Sequence, residues 1–424
     1  MTTEQITVHV IFAIGLIVAL SHVLGAAARK LGQPAVVGHL LAGIALGPSL
    51  LGRLPGDLTS AIAPKEVLPN LTVVANVALV LFLFAVGYDL DHRVLRGRSH
   101  AVPVVATTTF VVPMVLGGVS ALLLASWYHG SDPSPVPEYA FVLYIAVAMS
   151  ITAVPVLAGI VREHRLTRHV TGVVSMTAAG VIDAIGWIVL AVVLLGADTD
   201  PPVPWPVMVA ILALYLAVMF FVVRPALRWW FARTDNLVAK VPVVTAVALG
   251  SAWVTGELGL HVILGAFLAG LLMPRREDGE PHPELLRPAR DAGTVLLPVF
   301  FVVSGLSTDI GAMRAGDIGL LVVVIVIAIV GKMIAGTLAS RAAGLAWRDS
   351  KVIGVLLNTR GLTELIVLNL GLQAGIIGER LYTIFVLMAL VTTAMTGPLL
   401  LWLRRKDAAV SAEEEVPVDA AATR

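Results

Sequence analysis

Apolar runs of membrane-crossing length recur along the whole chain, and a soluble fold of this size cannot bury them all. A helix rises 1.5 Å per residue, so ~17–25 apolar residues cross the hydrocarbon of a bilayer. Thirteen such runs stand at Ile6–Leu24, Pro34–Leu50, Leu68–Gly87, Ala101–Ser126, Tyr139–Val161, Val170–Leu195, Pro206–Val223, Val241–Thr255, His261–Met273, Gly293–Leu306, Ile318–Ala342, Val352–Leu372 and Leu381–Leu403. The eighth to tenth are short and Gly-rich. Composition agrees, since 58% of the 424 residues are hydrophobic and only 13% charged. A soluble domain carries about a quarter charged residues. The expected fold class is therefore an all-α polytopic membrane protein of about thirteen transmembrane helices.

The connections test that count independently, because positive residues stay on the cytoplasmic side. Alternate loops are basic: Arg29 and Lys30, then Arg93, Arg96 and Arg98, then Arg162, Arg165 and Arg168. The series continues with Arg224, Arg228, Arg233 and Lys240; Arg275, Arg276, Arg287 and Arg290; Arg341, Arg348 and Lys351; and Arg404, Arg405 and Lys406. These are 22 residues, against Arg53, Lys65, Arg314 and Arg380 in the intervening loops. The alternation predicts an N-terminus outside and a C-terminus in the cytoplasm. A wrong span count would have scrambled it.

Several function classes lose support at once. The net charge of +1 gives no basic field for nucleic acid, and the absence of cysteine removes disulfides, thiolate metal sites and cysteine catalysis. No His, Asp or Glu cluster has metal-ligand spacing, and Ser150 has no evident base, so enzyme chemistry is not expected and no cofactor is implied. No Gly-rich phosphate loop suggests ATP-driven pumping. The apolar N-terminal run has no preceding Lys or Arg, so it reads as a first helix and not as a cleavable leader. Residues 404–424, acidic and rich in small residues, are expected to be a disordered cytoplasmic tail after a membrane domain of residues 1–403.

Four charges remain well inside predicted spans: Asp183, Lys332, Arg360 and Glu364. Each costs at least ~2.5–3.5 kcal/mol at a helix centre, so each needs a partner, a water-filled cavity or a task. Asp183 lies mid-span in "MTAAGVIDAIGWIVLAVV" among small residues that permit close helix approach. A carboxylate there can take a proton or a dehydrated cation but not both comfortably, which is the minimal chemistry of exchange. The alternative is an aspartate hydrogen-bonded to a neighbouring helix for packing. Lys332, in "AIVGKMIAG", is too central to snorkel and reads as a charge-balancing group. Arg360 and Glu364 are four apart and can pair on one helix face, either as a structural ion pair or as a substrate contact. Asn76 reads as a residue that hydrogen-bonds across helices. His22, His39 and His261 read as packing or interfacial histidines.

Two spans are interrupted. "AMSITAVPVLAG" sets Ser150, Thr152 and Pro155 inside the fifth span, where proline removes a backbone hydrogen bond and frees carbonyls. "NTRG", Asn358 to Gly361, breaks the twelfth in the same manner. Spans four to six and eleven to thirteen are thus triplets with the break in the middle member. Seven spans separate them, so they enter the membrane from opposite sides as inverted repeats. Interrupted helices at matching places in two halves point to a transporter site.

The segments "GQPAVVGHLLAGIALGPSLLG", "LFLFAVGYDLD", "AMSITAVPVLAGIVREHRL", "AAGVIDAIGW", "HVILGAFLAGLLMP", "LPVFFVVSGLSTDI" and "NTRGLTELIVLNLG" together resemble the monovalent cation:proton antiporter-2 family. The wording is closest to its plant cation/H⁺ exchanger branch and is similar to Kef-type transporters, from about Gln33 to Pro398. The resemblance implies a sodium/hydrogen exchanger fold with two crossed, broken helices and elevator-like alternating access. It implies a core of about residues 101–195 and 316–403, and a panel of about 1–87 and 241–306 that makes a homodimer. By motif, Asp183 matches the aspartate that binds ion and proton, Thr152 the threonine of the fifth-helix break, Lys332 the basic residue of the eleventh helix and Arg360 the arginine of the twelfth-helix break. One position departs. The family usually sets Asp, Asn or Gln before that aspartate, and here it is Ile182. Lys332 then needs another partner, and one carboxylate fewer can titrate.

The function expected from these features is exchange of K⁺ or Na⁺ for H⁺ across the cell membrane. Asp183, Thr152 and Ser150 would hold the ion or proton, while Lys332, Arg360 and Glu364 balance charge. A cation channel or leak through the same site, a proton-coupled exporter of an organic cation, and a non-transporting membrane sensor are the alternatives.

Overall fold

The computed structural model describes residues 1–53, 64, 66–89, 101–131, 136–166, 169–197, 205–234, 236–258, 262–276 and 281–414. Arg93, Arg96, Arg98, Arg168, Lys65 and His261 lie outside them. Among the described residues every regular element is helical. Eleven helical stretches are long and apolar enough to cross a membrane, and two shorter apolar helices, Glu138–Ser150 and Val262–Leu272, stand at the fifth and ninth predicted spans. The protein is thus a multi-pass membrane protein of the expected class.

The first group of helices is α1 (Thr3–Lys30), α2 (Ala35–Leu46) and α3 (Leu68–Asp89), with α10 (Leu237–Glu257), α11 (Val262–Leu272) and α12 (Pro283–Leu306). They pack mainly on one another, α3 against α11 and α12, and α2 against α1 and α12. Small residues permit this: a Cβ on Gly43 of α2 would lie 2.4 Å from the Val302 carbonyl oxygen of α12. In lipid, such backbone approach replaces the hydrophobic effect as the force between helices. Helix α8 (Trp205–Val218), a π turn at Met219–Val223 and α9 (Arg224–Phe231) join this group, with Tyr215, Met219 and Phe231 in an apolar cluster with Phe84 and Tyr88.

The second group is α4 (Ala101–Ser131), α5 (Glu138–Ser150), α6 (Val154–Glu163) and α7 (Val170–Ala197), with α13 (Ala315–Ile329), a π turn at Val330–Ile334, α14 (Ala335–Ala342), α15 (Trp347–Leu357), α16 (Leu362–Gln373) and α17 (Glu379–Glu414). Here α7 packs against α4, α5 and α15, and α17 against α13, α15 and α16. Asp317, fully buried in the first turn of α13, pairs with Arg380 of α17 and accepts from the Arg314 backbone N–H at 2.7 Å. That pair ties together the ends that carry few basic residues. The two groups meet chiefly where α12 touches α16 and α2 touches α17.

Boundaries differ most from the sequence expectation in two places. The tenth span begins at Pro283, ten residues before Gly293, because "PELLRPARDAG" buries Leu285, Leu286 and Ala289 although its charges read as loop. Helix α17 continues past 403 to Glu414, over an Ala- and Glu-containing stretch with no Gly or Pro to stop it. Residues 415–424 lie outside the described part.

Candidate functional site

Both predicted breaks are present, and they meet. Between α5 and α6 the chain is extended at Ile151 and Ala153, and Pro155 falls in the first turn of α6, where its missing N–H costs nothing. Between α15 and α16 the chain turns at Gly361, whose φ of +148° is a conformation that L side chains rarely adopt. A Cβ there would also stand 2.9 Å from Val156 Cγ2. Each break donates to the other: the Ala153 N–H reaches the Thr359 carbonyl at 3.3 Å, and Thr363 Oγ1 reaches the Thr152 carbonyl at 3.4 Å. Thr393 of α17 braces the crossing, accepting from the Arg360 N–H at 3.0 Å and donating to the Arg360 carbonyl at 2.6 Å.

Breaking a helix inside a membrane leaves the last carbonyls of its first half without partners, where no bulk water can satisfy them. Two fully buried cations do so here. Arg360 is fully buried and donates from Nη2 to the Met149 carbonyl at 2.7 Å and from Nη1 to the Ala148 carbonyl at 3.2 Å. Lys332 Nζ donates to the Ser150 carbonyl and to Thr152 Oγ1, the latter at 2.7 Å. Both positive charges therefore sit at the carbonyl end of α5, where the helix dipole is negative. The π turn at Val330–Ile334 carries Lys332, and single π turns recur at functional sites. Arg360 Nη1 also reaches Glu364 Oε1 at 2.8 Å, an ion pair with both side chains fully buried. The sequence predicted that pair, but not that the same guanidinium caps α5. Lys332, lacking an acidic neighbour at position 182, finds its partners in the freed backbone.

Asp183 makes no hydrogen bond to this network. It is 3% exposed, and neither carboxylate oxygen has a hydrogen-bond partner among the described residues. Lys332 is the charged group whose field reaches it, and Lys332 in turn feels Arg360 and Glu364. The four charged groups thus form one electrostatic cluster at the crossing. Ile182 is fully buried in an apolar cluster with Val156, Leu157, Ala179 and Leu356. Ser150 Oγ donates to the Ala146 carbonyl at 2.7 Å, and Thr152 Oγ1 accepts from Lys332. Sequence reading missed Thr359, whose fully buried hydroxyl at the crossing has no partner among the described residues. Its place in the "NTRG" break was the available signal. Among the described residues no group of three or more His, Asp or Glu could hold a metal ion.

Comparison with known proteins agrees with this architecture. The family model described as sodium/hydrogen exchanger, transmembrane, matches residues 15–405, and the chain belongs to that family. It is 35% identical over 378 residues to the K⁺/H⁺ antiporter 1 of Saccharomyces cerevisiae, covering 87% of this chain and 43% of that protein. It is 33% identical over 391 residues to the Na⁺/H⁺ antiporter NhaS4 of Synechocystis, covering 90% of this chain and 94% of that one. Cation/H⁺ antiporter 18 of Arabidopsis thaliana is 35% identical over 92% of this chain and 48% of its own length. The chain therefore spans about half the length of the yeast and plant relatives and nearly all of the cyanobacterial one. The fold resembles that of the sodium proton antiporter MjNhaP1 from Methanocaldococcus jannaschii, with a TM-score of 0.65 at 13% identity over 93% of this chain and 96% of that one.

Proposed function

We propose that this protein exchanges a monovalent cation, K⁺ or Na⁺, for a proton across a membrane, with Asp183 as the group that carries either. The observation that carries the reading is a buried carboxylate with two unpartnered oxygens, beside a crossing of two broken helices that positive groups already balance. A buried carboxylate without a partner is costly unless it is protonated or holds a cation. Those two states are the two loads of an exchanger. Relatives named as K⁺/H⁺ and Na⁺/H⁺ antiporters support the same reaction and leave the ion open.

In the cation-loaded state, oxygens of Asp183 replace part of the hydration shell. The remaining lone pairs of Thr152 and Ser150 and the free hydroxyl of Thr359 supplement them. Lys332 and Arg360 stay with the α5 carbonyls, and Glu364 keeps Arg360 balanced. With Ile182 apolar, one carboxylate switches load, so one cation replaces one proton and the site's charge is the same in both transport states. The exchange is electroneutral. No step needs an enzyme's chemistry or a cofactor.

The rest of the reading follows from the packing and the loops. The first helix group serves as a panel that pairs in a homodimer, and the second as the core that moves against it. The alternation of basic loops supports a C-terminus in the cytoplasm and an N-terminus outside, across the cell membrane. The test is purified protein in liposomes carrying a ΔpH dye, with K⁺, Na⁺ and Li⁺ titrated in turn. Each transported cation is expected to dissipate ΔpH, with no current in solid-supported-membrane recordings. A flat dye trace beside a cation current would instead identify a channel.

A further inference from the structure

A cavity with polar groups in its lining lies away from Asp183, between the two helix groups. It measures about 130 Å³ and is lined from α3 by Thr72 and Asn76, from α12 by Ser304 and Ser307, and from α16 by Asn369 and Gln373. Ser307 and Gln373 are exposed at its rim. All three helices present here the ends that join loops poor in Lys and Arg, so the cavity opens on the face opposite the basic loops. Ile366 is at its inner side, four residues from the start of α16 at the crossing, or ~6 Å along the helix axis. The cavity therefore stands between solvent and the crossed helices.

Its polar groups are all neutral, three amides and three hydroxyls set among apolar residues such as Leu79, Phe300 and Ile366, with no charged side chain in the lining. Asn369 Nδ2 donates to the Leu365 carbonyl and to Ser304 Oγ, both at 2.9 Å. That turns its carbonyl oxygen away from these two bonds. Tyr382 donates to the Ser304 carbonyl at 2.9 Å and so fixes the α12 side. Asn76, half-buried, lines the cavity and makes no hydrogen bond across helices among the described residues, unlike what its sequence context suggested. Such a set does not suit an anion, which would need positive charge, nor an apolar molecule, which would leave the amides unpaired. Neutral amide and hydroxyl oxygens suit a partly hydrated alkali cation. Lacking a carboxylate, such a set would hold a cation weakly enough to release it, as a path demands.

We infer that this cavity is an outer transit site for the monovalent cation, where Asn76 and Asn369 exchange part of its hydration shell before it reaches Asp183. The inference rests on the exchange reading for its role and on the cavity alone for binding. Both are separable by experiment. In oriented proteoliposomes, Asn76→Leu is expected to raise the half-saturating K⁺ or Na⁺ concentration severalfold on the face with few basic residues. Asn76→Asp, which adds a charge at constant shape, is expected to lower it, and neither changes the value measured from the basic face. Ser304→Ala removes the hydrogen bond to Asn369 but leaves Asn76 in place. If that change alone reproduces the Asn76→Leu effect, the cavity acts as a latch between helix groups and the inference is wrong.

A binding readout that needs no transport separates the two readings. Purified Asp183→Asn protein is melted in rising KCl or NaCl against choline chloride. Stabilisation by the alkali cation should persist, reach half its maximum at lower concentration in Asn76→Asp, and vanish in Asn76→Leu. Equal curves in choline and alkali salts, or curves unmoved by either Asn76 change, would overturn the inference whatever the exchange assay shows.

Discussion

Arg360 reaches three groups at once: the Ala148 and Met149 carbonyls and the Glu364 carboxylate. Only a planar fork with several fixed donors can do this, so Arg360→Lys is not a mild change. Arg360→Ala leaves Glu364 as an uncompensated buried charge and strips two carbonyls, a loss of ~3–5 kcal/mol by the usual cost of breaking a buried pair. The melting temperature of the purified protein should fall sharply for Arg360→Ala. The double change Arg360→Met with Glu364→Leu should recover part of the loss, because no lone charge then remains. Equal losses in the single and double variants would contradict this account. The four buried charges were legible in the sequence, since a charge inside an apolar run stands out on composition alone. Their partners were not legible. Three are backbone carbonyls of residues 148–150, which any side chains would have carried and which lie far away in sequence.

At the scale of the element, the two breaks position everything else. The fifth helix stops because extended Ile151 and Ala153 precede Pro155, and the twelfth because Gly361 takes a conformation open to glycine alone. Gly361→Ala must both strain the backbone and push on Val156, 2.9 Å from the added Cβ. Backbone strain of this kind costs ~1–3 kcal/mol. Because Arg360 and Thr363 flank the turn, the variant should lose exchange while its helical circular dichroism is retained. Wild-type exchange in Gly361→Ala would show that the crossing tolerates rearrangement. These interruptions could be read from proline, glycine and polar residues inside apolar runs. The early start of α12 could not, since Arg287, Arg290 and Asp291 look like loop until the burial of Leu285 and Leu286 is known. Nor could the role of Asn76, whose neighbours across the cavity come from α12 and α16.

For the whole molecule, the thirteen apolar runs and the alternation of basic loops specified a multi-pass helical protein, and the packing sorts its helices into two groups. One group of helices approaches backbone to backbone through glycines such as Gly43, and the other carries every buried charge of the crossing. Grouping of this kind depends on contacts between distant helices, which periodicity along a chain does not encode. The central claim is that one carboxylate serves both ions, and Asp183→Asn tests it most directly. The change keeps the shape and removes the titratable charge, with no hydrogen bond among the described residues to lose. The protein should remain folded, or melt higher, while cation-driven ΔpH dissipation in proteoliposomes falls to the level of empty liposomes. Exchange at a rate comparable to wild type in a folded Asp183→Asn protein would contradict the account.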